Sequence, residues 1–409
     1  MTDAIQLVPL DEDAYYQDPA GFFARLRESR PVAPVRMPGY GRMWVVTRYA
    51  DVRAALTDQR LAKDVHRYPG GGRSRPSEAD NLHAHMLHSD PPDHARLRRP
   101  VQKAFTPRLA ALRPRTEEIA AGLLEEMAAA RGDVIDLLDT YARPLPIAVL
   151  CELLGVPVPD REWILASVLA YGMPDRPEES QRVTRELAAY LTGLIAARRA
   201  RPGDDLLSAL VLARDSAAGE SAAGEGAGDG LTGTELLSAA FQLIMAGFDT
   251  TVNLIASGSL ALLTYPAQMA RLRADPSLLP AAVEELLRFA NPLKHATDRF
   301  TTEDVTIGGV VIPAGEWVLI ATSSANRDPA RFPDPDRLDV GRAASGHVAF
   351  GYGIHYCLGA PLARMEAEVA FGALLPRFPG MSLAVSPEDL RWRPVSLMHG
   401  LESLPVRLA

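Results

Sequence analysis

From Thr232 to Thr264 the chain carries only two charged residues, Glu235 and Asp249, in a run otherwise dominated by Leu, Ile, Ala, Ser and Thr. At the helical rise of about 1.5 Å per residue, such a run would form a rod of roughly 50 Å, the width of a whole domain. Thr232 and Glu235 stand at capping-box spacing, which satisfies free backbone N–H groups and marks a helix start. Gln242, Asp249, Thr250, Thr251 and Asn253 argue against a membrane span, because polar groups in hydrocarbon are expensive. The expected product is a long central helix around which a core is laid. Its middle turn reads 246-AGFDTT-251, an acid and two hydroxyls where the interior should be driest. Thr250 or Thr251 could bond back to a carbonyl one turn earlier and bend the helix. The acid beside them needs a partner or a purpose, since a buried unpaired charge is costly.

The flanking sequence reads as further helix over 20–29, 50–56, 94–104, 114–130, 140–154, 178–200, 204–213, 279–290 and 359–375. Strands are fewer: 44-WVVTRY-49, a hairpin over 304–313 turning at Gly308-Gly309, and 317-WVLIAT-322. The small, polar segment 216–230 is expected to be a flexible surface loop. The fold class is therefore mainly α (α+β): a helical bundle with a long central helix and small antiparallel sheets, in one domain over 1–409. A net charge of −8 argues against bulk nucleic-acid binding. The N-terminus, MTDAIQLVPLDEDAYYQDP, has neither the basic start nor the apolar core of a signal peptide. Cys151 and Cys357 are too few for a disulfide scaffold, which fits a reducing cytoplasm.

Cys151 lies in the apolar 147-IAVLCELLGVP-157 and is expected to pack in the core. Cys357 is different, set in 347-HVAFGYGIHYCLGAPLAR-364 behind a glycine-rich loop and just before a helix. A buried structural thiol is one reading. A nucleophile is another, because Pro361 suits a first helical turn and the helix dipole favours thiolate. A metal ligand is the third. Zinc and iron–sulfur sites need several clustered Cys or His ligands, whereas haem brings four nitrogens and asks for one axial sulfur. Gly351, Gly353 and Gly359 would let the backbone approach a flat macrocycle. Haem accounts for the isolation of this cysteine.

Phe350, Gly353, Cys357 and Gly359 stand in F-x-x-G-x-x-x-C-x-G order, and the segment resembles the haem-binding loop of cytochrome P450 monooxygenases. 285-ELLR-288 is similar to the family's E-x-x-R pair, with Arg337 in 326-NRDPARFPDPDRLD-339 completing a structural Glu285–Arg288–Arg337 cluster. AGFDTT looks like the family's oxygen-activation turn. The resemblance covers essentially the whole chain and implies the P450 fold, haem b (iron protoporphyrin IX) on Cys357, and a monomer. His94 and Arg98, spaced i,i+4, match the family's propionate ligands, as do Arg299 and His355.

The chemistry so implied is insertion of one oxygen atom from O2 into a C–H bond, or across a C=C bond, of a hydrophobic small molecule. Thr250 would hold oxygen and water in hydrogen bonds, and Asp249 would relay protons. Electrons would come from NAD(P)H through a reductase and an acidic ferredoxin. The ferredoxin would dock near Arg96–Arg115, which holds seven basic residues and no acids. Pocket walls are expected from 60–88, 165–185, Leu243, Ala246, Gly247, Leu293, His295, Ala296 and Met398, with Lys294, His295 and His399 as polar anchors. The pattern resembles soluble actinobacterial enzymes that tailor polyketides, macrolides, terpenoids or steroids. Peroxide-driven or non-oxidative haem-thiolate chemistry, or a haem gas sensor, are the rival readings. His83, His85 and His88 cannot share one helical face at spacings of two and five, so no metal is expected there.

Overall fold

A computed structural model describes residues 7–37, 41–69, 82–171, 177–222 and 230–408. The apolar run forms two helices rather than one, Gly233–Gly247 and Asp249–Thr264, meeting at Phe248 with φ −102° and ψ −71°. Thr232 and Glu235 form the expected capping box. The break has a local cause. Thr250 Oγ1 donates to the Ala246 carbonyl at 3.0 Å. The Phe248 carbonyl accepts from Thr251 and Val252 N–H, both at 3.1 Å. A hydroxyl that occupies a helix carbonyl bends the ladder. By length and composition the pair could cross a membrane, but 67% of its most apolar window is buried inside the fold, so it is a core helix.

Around it lie the helices Leu109–Ala129, Leu279–Phe289 and Ala360–Arg377, the last touching all three others. Gly258 permits the closest approach. A Cβ there would lie 2.7 Å from Phe371 Cζ. The helix Pro144–Leu154 presses on the other half of the rod, where a Cβ at Gly247 would meet Leu150 at 3.0 Å. Cys151 on that helix is 1% exposed, a core residue as expected.

The strands form a five-stranded sheet in the order Val32–Met37, Gly41–Val46, Trp317–Ile320, Arg299–Thr301, Leu61–Ala62, besides two smaller sheets. Among the described strand pairs, only Gly41–Val46 with Trp317–Ile320 runs parallel. Val305–Ile307 and Val310–Ile312 make the expected hairpin. Gly308 and Gly309 adopt φ +56° and +80°, which a two-residue turn of this hand requires. The sheet matters for function because it carries Arg299 at a buried position.

Two expectations need correction. The helix Leu206–Ala222 runs through the first part of the expected 216–230 loop, whose segment 223–229 lies outside the described residues. Alanines there sustain the helix. The structural cluster also has a different third member. Arg288 grips Glu285 through two bonds of 2.7 and 2.8 Å, both residues at 0% exposure. Arg342 supplies the second guanidinium, its Nε donating to Glu285 Oε1 at 3.1 Å. Arg337 is exposed and contributes only its carbonyl, which Arg342 Nη2 meets at 3.1 Å. The chain turns at Asp334, with φ +49°, and runs on, so the later arginine faces inward.

Candidate active site

The loop before the cysteine is shaped by Gly351 and Gly353, at φ +72° and +78°, a conformation costly to any side chain with a Cβ. It closes with Cys357 N–H donating to the Phe350 carbonyl at 3.0 Å. Unlike Cys151, Cys357 is exposed, yet protein crowds around it, as around a side chain on the wall of a deep cleft. Burial pushes its thiol up, while the N–H groups of Gly359 and Ala360 and the charges of Arg98 and Arg364 pull it down. A Cβ at Gly359 would stand 3.8 Å from the sulfur. The balance stays upward, so the free thiol keeps its proton; met by amide donors and open on one side, the sulfur is placed where a metal could displace that proton.

Beside it the structure gathers a group of basic side chains. The rings of His94 and His355 lie 4.5 Å apart, and His94 Nε2 is buried without a partner. Arg98 Nη2 donates to the Tyr356 carbonyl at 2.8 Å. Arg299 is 4% exposed, its Nε unpartnered and its Nη1 only 3.4 Å from the Leu61 carbonyl. Lys63, 6% exposed, points Nζ at Thr297 Oγ1. Among the described residues, neither Arg299 nor Lys63 has a carboxylate in salt-bridge reach. Burial, then the Arg299 charge, pushes Lys63 down to about 7, and burial pushes Arg299 down to about 10. Burial also takes His94 down to about 4 and His355 down to about 2. Unpaired cations inside a protein are costly unless an anion completes them. A dianionic rim such as the two propionates of haem satisfies that demand, so these residues fit the group. Lys63 escaped the sequence reading. It is one of only three lysines among 43 basic residues, and a chain that otherwise chooses arginine marks such a position.

On the helix-break side, Asp249 is held by Arg393 Nη2 at 2.8 and 3.0 Å, and the same nitrogen donates to Asn253 Oδ1 at 3.2 Å. Thr251 bonds Glu366 of the Ala360–Arg377 helix. Glu366 is 1% exposed, its Oε2 is unpartnered, and burial raises its carboxyl well above the ordinary range. Neither Arg393 nor Glu366 was legible, because each partner lies more than 100 residues away in sequence.

Among the expected pocket walls, Ala246 is exposed and Leu243 and Gly247 are half-buried on the turn before the break. Leu293 and Met398 form an antiparallel bridge, and Ala296 N–H donates to the Ile320 carbonyl at 2.9 Å. His295 is buried, with Nδ1 2.8 Å from the Ala296 carbonyl and Nε2 unpartnered. Two proposed anchors are committed elsewhere. Lys294 Nζ donates to the carbonyls of Val395 and Met398 at 2.8 and 2.7 Å, and His399 stacks on Trp392 at 3.8 Å. Segments 70–81 and 172–176 of the expected walls lie outside the described residues.

The basic segment is less positive than its sequence implies. Arg96 pairs with Asp93 and Glu235, Arg108 with Asp204, Arg113 with Glu368, and Arg115 with Glu118 and Glu152. Acids just outside the segment (Asp93, Glu118) and acids remote in sequence (Glu152, Asp204, Glu235, Glu368) pair with these charges. Lys103 and Arg99 are exposed, and the cysteine loop, which Arg98 of the same helix touches at Tyr356, shows Tyr352, Ile354 and Tyr356 to solvent.

Comparison with known proteins agrees with this geometry. A family model described as Cytochrome P450 matches residues 163–397. Cytochrome P450 monooxygenase PikC of Streptomyces venezuelae is 46% identical, covering 98% of this chain and 94% of that protein. The mycinamicin IV hydroxylase/epoxidase of Micromonospora griseorubida is 44% identical, covering 95% of both. The solved structure of the tirandamycin C-bound P450 monooxygenase TamI superposes with a TM-score of 0.86 at 49% identity, covering 98% of this chain and 100% of that one. A lone cysteine in an amide-lined cleft, a rim of buried cations and full-length likeness to these enzymes lead to one conclusion: the chain belongs to the cytochrome P450 family and is a haem b monooxygenase.

Proposed function

We propose that this monooxygenase oxidises a large hydrophobic natural product of the polyketide or macrolide class, and that Cys357 would hold its haem through the sulfur. The observation that carries the site is the pairing of an open, amide-solvated sulfur with buried, unpaired Arg299 and Lys63. The substrate class rests on the relatives, one named for mycinamicin IV and one solved with tirandamycin C. When bound, a thiolate-ligated haem activates dioxygen, because electron density pushed from sulfur favours O–O cleavage.

The chain's own groups manage binding and protons. His94, Arg98, Arg299, His355 and Lys63 would hold the propionates of a bound haem, and Phe350, Gly351 and Gly359 would shape the loop that receives it. Thr250 spends its hydroxyl proton on the Ala246 carbonyl, which leaves its lone pairs free to accept from water in the cleft. Asp249 relays protons after leaving Arg393, and Glu366, its carboxyl raised by burial, stands beside Thr251 as a second acid on that route. Leu243, Ala246, Gly247, Leu293, His295, Ala296 and Met398 line the substrate side. Electrons arrive from NAD(P)H through a reductase and a ferredoxin in the cytoplasm. The ferredoxin docks on the exposed Tyr352, Ile354 and Tyr356 with Lys103 nearby, because most other cations of that face are already paired.

The test is the reduced, CO-bound spectrum of Cys357→Ala. Loss of the red-shifted Soret band supports the assignment, and retention of that band overturns it. Turnover with ferredoxin, reductase and NAD(P)H, but none with peroxide alone, separates this reading from a peroxide-driven enzyme.

A further inference from the structure

His83, His85 and His88 come together although their spacing fits no helical face. The segment is not helical at first. His85 is extended, at φ −134° and ψ 168°, and a short turn follows over Met86–His88. The turn is tied by His85 N–H to the His83 carbonyl at 2.8 Å, His88 N–H to the His85 carbonyl at 3.1 Å, and Ser89 Oγ to the same carbonyl at 3.0 Å. Leu82 and Met86, 3% and 7% exposed, anchor it in the core. The rings consequently face one another, with centroids 4.7, 5.1 and 6.0 Å apart. One ring nitrogen from each lies within 4.8 Å of the others.

We propose that His83, His85 and His88 form a three-imidazole site for a borderline divalent transition metal such as zinc, made without any of the residues assigned to the haem. Zn–N bonds of about 2.0–2.1 Å in a tetrahedral set place ligand nitrogens about 3.4 Å apart, so small ring rotations complete the site. An independent observation points to a ligand. His85 is 4% exposed, and its Nδ1 has no hydrogen-bond partner, a state that normally costs free energy. His88 is exposed, which gives the ion a path from solvent. Burial, followed by the neighbouring imidazoles, holds His85 at about 2, so it is neutral, the form that binds metal. Imidazoles select zinc, nickel or copper over magnesium and calcium, which prefer oxygen. With no carboxylate in the set and the Lys63 charge nearby, binding is moderate and a fourth position stays open to water.

The experiment titrates untagged, chelator-treated holoenzyme with zinc salt by calorimetry and records zinc-edge X-ray absorption on the loaded protein. The expected result is one zinc per chain with three imidazole ligands, and no binding of magnesium. His83→Ala and His88→Ala should each weaken zinc binding about tenfold or more and the double variant should abolish it. His85 is left intact because truncating a buried ring can disturb the fold. The reduced CO spectrum should stay unchanged in all variants, showing that the haem site is intact. Unaltered zinc affinity in the double variant, or a spectrum with fewer than three imidazoles, overturns the site.

Discussion

Cys357 and Cys151 are chemically the same residue, and their surroundings separate them. Cys151 is sealed among leucines, and burial pushes its thiol up to about 12. Cys357 meets two amide donors and two guanidinium charges. A glycine-rich approach to the cysteine was legible in the sequence, and so were His94 and Arg98, because an i,i+4 pair is a local feature. Thr250 was legible for the same reason. Thr250→Ala should keep haem and substrate binding but lower product formed per NAD(P)H several-fold, with hydrogen peroxide making up the difference. Unchanged coupling would show that the hydroxyl serves only to bend the helix. Arg393, Lys63 and Glu366 were invisible because nothing near them in sequence reports what they face.

At the scale of elements, glycine choice and chain reversal decide where the helices sit. Gly258→Ala would gain about 1 kcal/mol of helix propensity on an isolated helix. Here the new methyl meets Phe371, which is 0% exposed and has nowhere to move. Overpacking of this kind costs about 1–3 kcal/mol, so net destabilisation is expected, read as a lower urea midpoint. The segment after Asn326 offers a paired comparison. Arg342→Ala removes a bond to buried Glu285 and should cost about 2 kcal/mol, whereas Arg337→Ala should stay within about 0.5 kcal/mol. Equal midpoints for the two variants would refute the corrected cluster. The family resemblance favoured Arg337, and the structure places Arg342 on Glu285 instead.

Across the whole molecule, the sheet and the segment after it bring the buried cations Arg299 and Lys63 together with His94, Arg98 and His355 from the helix Asp93–Phe105 and the cysteine loop. Their cost to the empty fold is the converse of their service to a bound dianion. Arg299→Met should weaken haem retention about tenfold or more, since charge-assisted bonds contribute about 1.5–3 kcal/mol each. The haem-free protein should be unchanged or more stable, because an uncompensated buried charge has been removed. Measuring haem transfer to an acceptor protein alongside denaturation of the apo form checks both halves. A destabilised apo form would mean Arg299 is a structural residue.

The sequence by itself determined the features whose physics is local: the capped apolar rod, its polar turn, the two-glycine hairpin, and the cysteine with its glycines. Propensity, capping and periodicity act over a few residues and can be read in order. Only the tertiary structure decided which arginine completes Glu285, which acid neutralises which base, where the rod breaks into two helices, and how three histidines off any helical face still meet. Those outcomes depend on through-space distance and burial, and both are set by chain reversals that no short stretch of sequence contains.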